Sequence, residues 1–155
     1  MFDGPIVLAG GISDGAALWA AEVLGCDLAY MGTKFIATNE SMAPEAYKQM
    51  LVASNMDDVM LTQAFTGLDT NMLTPSMIAA RLDPRTLPPR VSVEEAARNF
   101  GSKGGMDGPR RYRDIWSAGH SVSGVKRVQS AAELVAQTLS EYEAARQVTA
   151  DRLRS

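Results

Sequence analysis

The chain has 155 residues, of which 46% are hydrophobic and 21% charged, and its formal net charge is −3. This length predicts one domain with a sizeable core, and the small negative charge indicates neither a nucleic-acid nor a membrane partner. No apolar run reaches the length of a membrane span, because Glu22, Asp27 and Lys34 interrupt the most hydrophobic region. The single cysteine, Cys26, cannot form an internal disulfide, which favours a reducing compartment and a cytoplasmic location.

Residues 5–35 predict a βαβ unit. The runs 5–9 and 28–31 are almost entirely apolar, which is typical of parallel strands that are buried on both faces. Between them we expect an amphipathic helix from about Asp14 to Leu24, ended by a glycine at the next position. Because the two strands would be parallel, their carboxyl ends should meet at one edge of the sheet.

Each predicted strand ends in a glycine turn, Gly10–Gly11 after the first strand and Gly32–Thr33 after the second. Glycine has no Cβ, so the backbone at these positions can approach a ligand closely. The helix after the first turn would direct its free N–H groups and positive dipole end at the same spot, and a short helix starting near Thr33 would do likewise. Two consecutive strand ends directed at one anion predict a phosphate site, like the one after strands 7 and 8 of a (β/α)8 barrel.

Two other interpretations of these glycines stay open. A Gly-Gly turn after a strand is often only a turn, with no ligand. A dinucleotide-binding unit would carry Gly-x-Gly-x-x-Gly and an acidic residue at the end of the second strand. The glycine spacing is absent here, and Asp27 precedes the second strand instead of ending it.

The rest of the chain predicts four further helices and one more strand. We expect the helices to start near Pro44, to cover 75–81 and 92–100, and, for the last one, to start at Ser130. The strand would cover 59–65, and an irregular segment at 66–71 would follow it. Residues 83–90 read as an exposed proline-rich connector, and 101–108 as a mobile glycine-rich loop. Ser130 and Glu133 form a capping box for the last helix, which we expect to fray beyond Thr149. Its inward stripe would consist of Leu134, Val135, Thr138, Leu139 and Tyr142.

Three stretches carry a resemblance to a known family. Residues 9–15, Ala-Gly-Gly-Ile-Ser-Asp-Gly, and 30–41, Tyr-Met-Gly-Thr-Lys-Phe-Ile-Ala-Thr-Asn-Glu-Ser, are similar to the FMN-phosphate segments of the nitronate monooxygenase family, formerly called 2-nitropropane dioxygenase. Residues 114–122, Asp-Ile-Trp-Ser-Ala-Gly-His-Ser-Val, resemble that family's Trp-Ser-Ala-Gly-Gln segment. The similarity covers essentially the whole chain but only the C-terminal half of a family member.

The resemblance implies an α/β fold that is the C-terminal portion of an FMN-binding (β/α)8 TIM barrel, with a small helical or irregular segment after it. Residues 1–56 would carry the FMN-phosphate site, 57–113 a strand, loop and insert, and 114–155 the tryptophan segment and final helix. Strands 1 to 6 of the barrel would be missing, which leaves a sheet edge unpaired and suggests a truncated chain. The implied cofactor-binding residues are Gly10, Gly11, Tyr30, Met31, Gly32 and Thr33.

The implied activity is that of a flavin-dependent monooxygenase, an oxidoreductase that oxidises alkyl nitronates with molecular oxygen and uses no metal. No residue of this chain is expected to be the catalytic base, because the family's base is a histidine in the N-terminal half and His120 stands where the family has glutamine. One alternative is a non-catalytic FMN- or phosphate-binding half-barrel that assembles with a partner chain or as a homo-oligomer. A related enoyl-thioester reductase that uses a nicotinamide cofactor is the other.

Overall fold

The computed structural model describes residues 3–101 and 108–154, and the chain divides into two compact units. The first unit combines Met1–Val52 with His120–Ser155, and the second is Ala53–Gly119. The helices of the described residues are α1 Gly15–Val23, α2 Thr33–Ile36, α3 Glu45–Ala53, α4 Thr74–Ala79, α5 Val93–Phe100 and α6 Ala131–Arg154. The strands are β1 Val7–Ala9, β2 Leu28–Tyr30, β3 Val59–Thr62 and β4 Thr70–Leu73, and short 3-10 turns lie at Met56–Asp58, Pro84–Thr86 and His120–Gly124.

The first unit contains the predicted βαβ arrangement. β1 and β2 pair in parallel, with Val7 opposite Leu28 and Ala9 opposite Tyr30. The helix between them, α1, begins where the Asp14 side chain accepts a hydrogen bond from the backbone N–H of Ala17 at 2.7 Å. These contacts confirm the two strands, their parallel pairing and the helix that connects them.

The apolar side chains of β1 and β2 are largely exposed, which corrects the expectation that both strands are buried on both faces. Val7 is 50% exposed, Leu28 60% and Tyr30 68%. Within the described residues the sheet consists of these two strands alone, so their outer edges have no strand partner there. An apolar sequence shows what a strand prefers to contact, but it does not show what covers the strand.

The long helix α6 has the predicted start. The Glu133 N–H donates to Ser130 Oγ at 3.1 Å, and the Ser130 N–H donates to Glu133 Oε2 at 2.8 Å, which is a complete capping box. The helix continues to Arg154, so the prediction of fraying beyond Thr149 is wrong. Gln147 and Arg154 both contact the Asp151 carboxylate, and these two contacts support the last turns.

The buried face of α6 is narrower than predicted. Leu134 and Thr138 are buried, whereas Val135 and Leu139 are 55% and 58% exposed. Successive residues of a helix are about 100° apart, so Val135 and Leu139 lie beside the buried line and not on it. The predicted inward stripe therefore combined one buried row of side chains with the exposed row next to it.

The second unit is built on an antiparallel hairpin in which Val59 lies opposite Leu73 and Thr62 opposite Thr70. The predicted strand 59–65 thus ends at Thr62, and the predicted irregular segment 66–71 overlaps β4. The unit has a compact apolar core whose central side chains are fully buried. These are Phe65, Met72, Met77 and Ile115.

The remaining predicted helices are present in α3, α4 and α5, and Ser92 Oγ accepts the Glu95 N–H at the start of α5. The predicted glycine-rich loop lies mostly in 102–107, outside the described residues. None of the described helices is both long enough and apolar enough to cross a membrane.

Candidate phosphate site

The two predicted glycine turns lie side by side. Because Ala9 pairs with Tyr30 in a parallel register, Gly10 and Met31 leave their strands at the same edge of the sheet. Gly10 and Gly11 have φ values of +86° and +73°, a region that glycine occupies without the steric cost paid by other residues. We call residues 10–15, which connect β1 to α1, the glycine loop.

The three turn glycines border open space. Apart from its own residue and the two adjacent ones, a Cβ placed on Gly10, Gly11 or Gly32 would have no heavy atom of the described chain within 4 Å. The space that a Cβ would fill at each of these three positions is therefore open. Gly32 differs from the other two because its φ is −107°, which an alanine can also adopt.

The second turn leads into the single-turn helix α2. Gly32 precedes it, and the Gly32 carbonyl accepts the Phe35 N–H at 2.9 Å. Thr33 is buried at 6% exposure, whereas Tyr30 is exposed and Met31 is half-buried. The six predicted cofactor-binding residues thus lie at one sheet edge, where the three glycines and Tyr30 are exposed to solvent.

The start of α1 differs from the expectation that its free N–H groups face a phosphate. The Gly15 N–H donates to Glu141 Oε2 at 3.0 Å, and the Ala17 N–H donates to the Asp14 carboxylate. These two backbone N–H groups, which we expected to face a phosphate, therefore donate to carboxylates of the chain itself. Asp14 could have been recognised as an N-cap residue from sequence, but Glu141 lies 126 residues from Gly15 and gives no local signal.

One basic side chain, Lys34, contacts the glycine loop, and the sequence did not predict this contact. Lys34 is only 7% exposed, and its Nζ donates to the Ser13 carbonyl at 2.7 Å. It lines a cavity of about 70 Å³ together with two further cations, Lys126 and Arg127, among other residues. The sequence shows a lysine directly after Gly32-Thr33, but its burial and its bond to Ser13 are visible only in the structure.

The tryptophan segment packs against its own unit. The Trp116 carbonyl accepts the Leu73 N–H at 2.8 Å, its N–H donates to Ser76 Oγ, and its indole N–H donates to the Arg113 carbonyl. These three hydrogen bonds hold the backbone and the indole ring of Trp116 within the second unit. His120 is exposed and opens the 3-10 turn His120–Gly124 of the other unit.

The arrangement of strands and glycine turns identifies a broad class of protein. A parallel βαβ unit whose strands end in adjacent glycine turns is typical of α/β proteins that bind ligands at the carboxyl edge of the sheet. The family model for nitronate monooxygenase matches residues 2–141. The chain therefore belongs to the nitronate monooxygenase family, a family of flavin-dependent oxidoreductases, and the resemblance noted in the sequence is confirmed.

Curated relatives agree with this assignment. The chain is 31% identical over 135 residues to the nitronate monooxygenase of Paraburkholderia phytofirmans, a match that covers 86% of this chain and 36% of the relative. It is 27% identical over 114 residues to a probable nitronate monooxygenase of Staphylococcus haemolyticus, covering 73% of this chain and 32% of the relative. The chain thus spans about a third of the length of these relatives.

Solved structures give the same picture of the fold. Nitroalkane oxidase from Streptomyces ansochromogenes is 30% identical with a TM-score of 0.68, and the match covers 96% of this chain and 42% of that one. FabK from Thermotoga maritima is 23% identical with a TM-score of 0.65, and the match covers 99% of this chain and 47% of that one. At this identity the match supports the similarity of fold and nothing further. These neighbours are TIM-barrel enzymes, whereas the described residues form an α/β fold without a closed barrel.

Proposed function

We propose that this chain carries the FMN-phosphate half of a nitronate monooxygenase-type flavoenzyme and forms the C-terminal portion of its (β/α)8 barrel. Family membership supports the flavin, and the glycine turns at the sheet edge support a phosphate contact there. The proposed reaction is oxidation of an alkyl nitronate by molecular oxygen in a cytoplasmic enzyme. Because the chain spans under half of its relatives, we assign that reaction to the larger assembly.

The pairing of Ala9 with Tyr30 carries the proposal. It brings the Gly10–Gly11 turn beside Gly32, so that two backbone segments can contact one phosphate from neighbouring strands. The open space around each of these glycines is what a bulky phosphate ester requires, and a Cβ at any of them would project into it. The residues present therefore fit the group.

Each residue has a limited role in this proposal. FMN, when bound, supplies the redox chemistry, and the protein supplies position and electrostatics. Gly10, Gly11 and Gly32 would contact the phosphate through backbone N–H groups, and Thr33 through its backbone or hydroxyl. Tyr30 and Met31 would support them at the ends of the same strands.

A second candidate is a non-catalytic FMN-binding half-barrel that assembles with a partner chain or with itself. The exposed apolar side chains of β1 and β2 favour it, because a contiguous apolar surface of this kind is usually covered in a working assembly. Turnover of a nitronate by the purified chain alone would contradict this candidate. Rapid reduction of bound flavin by NADH or NADPH would instead support an enoyl-thioester reductase.

The test is a titration of the purified chain with FMN and with riboflavin, followed by flavin fluorescence. Gly32→Ala is the most informative variant, because its φ of −107° and open surroundings mean that the added methyl group strains nothing in the described chain. We expect it to weaken FMN binding by about tenfold, as a misplaced phosphate loses one or more charge-assisted hydrogen bonds.

The matched control is Gly108→Ala, which also adds a methyl group in open space but lies in the other unit. It should leave the affinity for FMN unchanged. Equal effects at the two glycines, or saturable riboflavin binding with no preference for FMN, would contradict the phosphate assignment. Substitutions at Gly10 or Gly11 are less informative, since their positive φ values strain any side chain even without a ligand.

A further inference from the structure

The segment from Ser13 to Gly15, at the end of the glycine loop, is held by two charged side chains from other elements. Lys34 of α2 donates from Nζ to the Ser13 carbonyl at 2.7 Å. Glu141 of α6 accepts the Gly15 N–H at 3.0 Å. The Ser13 carbonyl is therefore bonded to a lysine 21 positions away in the sequence, and the Gly15 N–H to a glutamate 126 positions away.

Both attachments are favourable at neutral pH. Lys34 is 7% exposed, so its hydrogen bond to Ser13 is made largely away from water. Burial acts to raise the pKa of Glu141, but hydrogen bonds from Gln137 and the Gly15 N–H, together with the Lys34 charge, hold that pKa below its ordinary value. Glu141 is therefore ionised, and the Gly15 N–H donates to a full negative charge.

Steric contacts hold the same segment. A Cβ on Gly15 would lie 2.1 Å from the Tyr142 nitrogen and 2.3 Å from the Thr138 oxygen, both in the backbone of α6. A Cβ on Gly124 would lie 2.6 Å from the Ser13 Cβ. The backbone of residues 13–15 thus packs directly on α6 and on the 3-10 turn His120–Gly124.

We infer that Lys34 and Glu141 are positioning residues that preform the glycine loop for the phosphate of a flavin, an inference that rests on the proposed function. Neither side chain needs to touch the phosphate, because each acts through the Ser13 or Gly15 backbone. A loop with two consecutive positive φ values has many alternative conformations when it is free. Because residues 13–15 are already held in place, less conformational entropy of the loop is lost when the ligand binds.

Lys34→Met and Glu141→Leu test the inference, with Lys34→Arg as the conservative variant. Lys48→Met is the matched control, because Lys48 is also buried, at 6% exposure, but donates to the Asn39 carbonyl outside the glycine loop. Glu143→Leu is the control for Glu141, since it lies on α6 and contacts Arg146 instead of the glycine loop.

The first measurement is amide hydrogen exchange of residues 10–17 without any flavin. We expect Lys34→Met and Glu141→Leu to accelerate exchange there, while α3 exchanges as in the wild type. The second is the dissociation constant for FMN and for riboflavin. Loss of a charge-assisted hydrogen bond should weaken FMN binding by about tenfold and leave riboflavin binding unchanged, and Lys34→Arg should restore most of the loss.

The sign of the Glu141→Leu effect separates positioning from simple electrostatics. Removing a negative charge near a phosphate would tighten FMN binding if charge alone mattered, whereas loss of positioning weakens it. Tighter binding, unchanged exchange in residues 10–17, or equal weakening for FMN and riboflavin would overturn the inference. Glu141 is half-exposed, so this variant remains informative if Lys34→Met does not fold.

A wild-type chain that binds no FMN would refute the proposed function separately. The exchange of residues 10–17 in the variants would then still decide whether Lys34 and Glu141 order the glycine loop. Unchanged exchange in that case would refute the positioning role as well.

Discussion

The second unit and the glycine region of the first unit are stabilised in different ways. In the second unit, Phe65, Met72 and Ile115 are completely buried, and the Phe65 ring meets that of Phe100 edge to face at 4.8 Å. In the first unit, the strands that carry the glycine turns leave half or more of Val7 and Leu28 exposed. Apolar packing therefore explains the shape of the second unit better than it explains that of the candidate site.

The difference indicates how the candidate site keeps its shape. Residues 13–15 are held by polar contacts from Lys34 and Glu141 and by close backbone packing at Gly15. Such contacts depend on exact distances, whereas an apolar core tolerates some repacking. A region held in this way can leave its glycines open to a ligand, because no side chain has to cover them.

The largest expected effect tests the core of the second unit. Phe65→Ala should lower the free energy of unfolding by about 3–5 kcal/mol, since it removes a fully buried ring and leaves a cavity. Leu28→Ala, at a side chain that is 60% exposed, should cost less than about 1 kcal/mol. Denaturant unfolding followed by circular dichroism measures both, and a large cost at Leu28 would show that β2 is covered in solution.

The next effect tests the close packing of the glycine loop. Gly15→Ala should destabilise the chain by roughly 1–3 kcal/mol, because its Cβ would overlap the backbone of α6 and force a shift. Gly32→Ala adds the same group in open space and should change the free energy of unfolding by less than about 0.5 kcal/mol. Thermal unfolding of the two variants separates them, and equal stability would mean that α6 does not pack on Gly15.

The smallest effect concerns the start of α6. Hydrogen bonds from the Ser130 N–H and hydroxyl lower the pKa of Glu133 from its ordinary value of 4.5. A carboxyl group whose pKa is lowered in the folded state stabilises the fold at pH values above its ordinary pKa. This contribution is lost as the pH falls through the folded-state pKa. The melting temperature should therefore drop less between pH 7 and pH 3 in Glu133→Gln than in the wild type. An identical drop would exclude a contribution from this capping box.

Much of the first unit could be predicted because its signals are local. Asp14, Ser130 with Glu133, and the glycine after α1 mark helix ends by the chemistry of a few neighbouring residues. The parallel pairing of β1 and β2 followed from two apolar runs separated by one helix. The placement of the glycine turns at one edge follows from that pairing alone.

The remaining features depend on contacts that no local pattern shows. The strand β4 was missed because Asp69 and Asn71 are typical turn residues, and only pairing with β3 places Asn71 in a strand. The exposure of Val7 was missed because covering neighbours cannot be read from the strand itself. The bonds of Lys34 to Ser13 and of Glu141 to Gly15 bring together distant parts of the chain, so they needed the structure.

The separation of 126 positions between Gly15 and Glu141 has a consequence for biosynthesis. Ribosomes add about 5–20 residues per second, so the glycine loop would wait roughly 6–25 s before its last support emerges. During that interval Gly15 has no α6 to pack on, and β1 and β2 present apolar side chains to the nascent-chain environment. A premature stop codon after residue 130 would thus remove the Glu141 contact and the packing of Gly15 on α6, while Lys34, the turn His120–Gly124 and the second unit would already be translated.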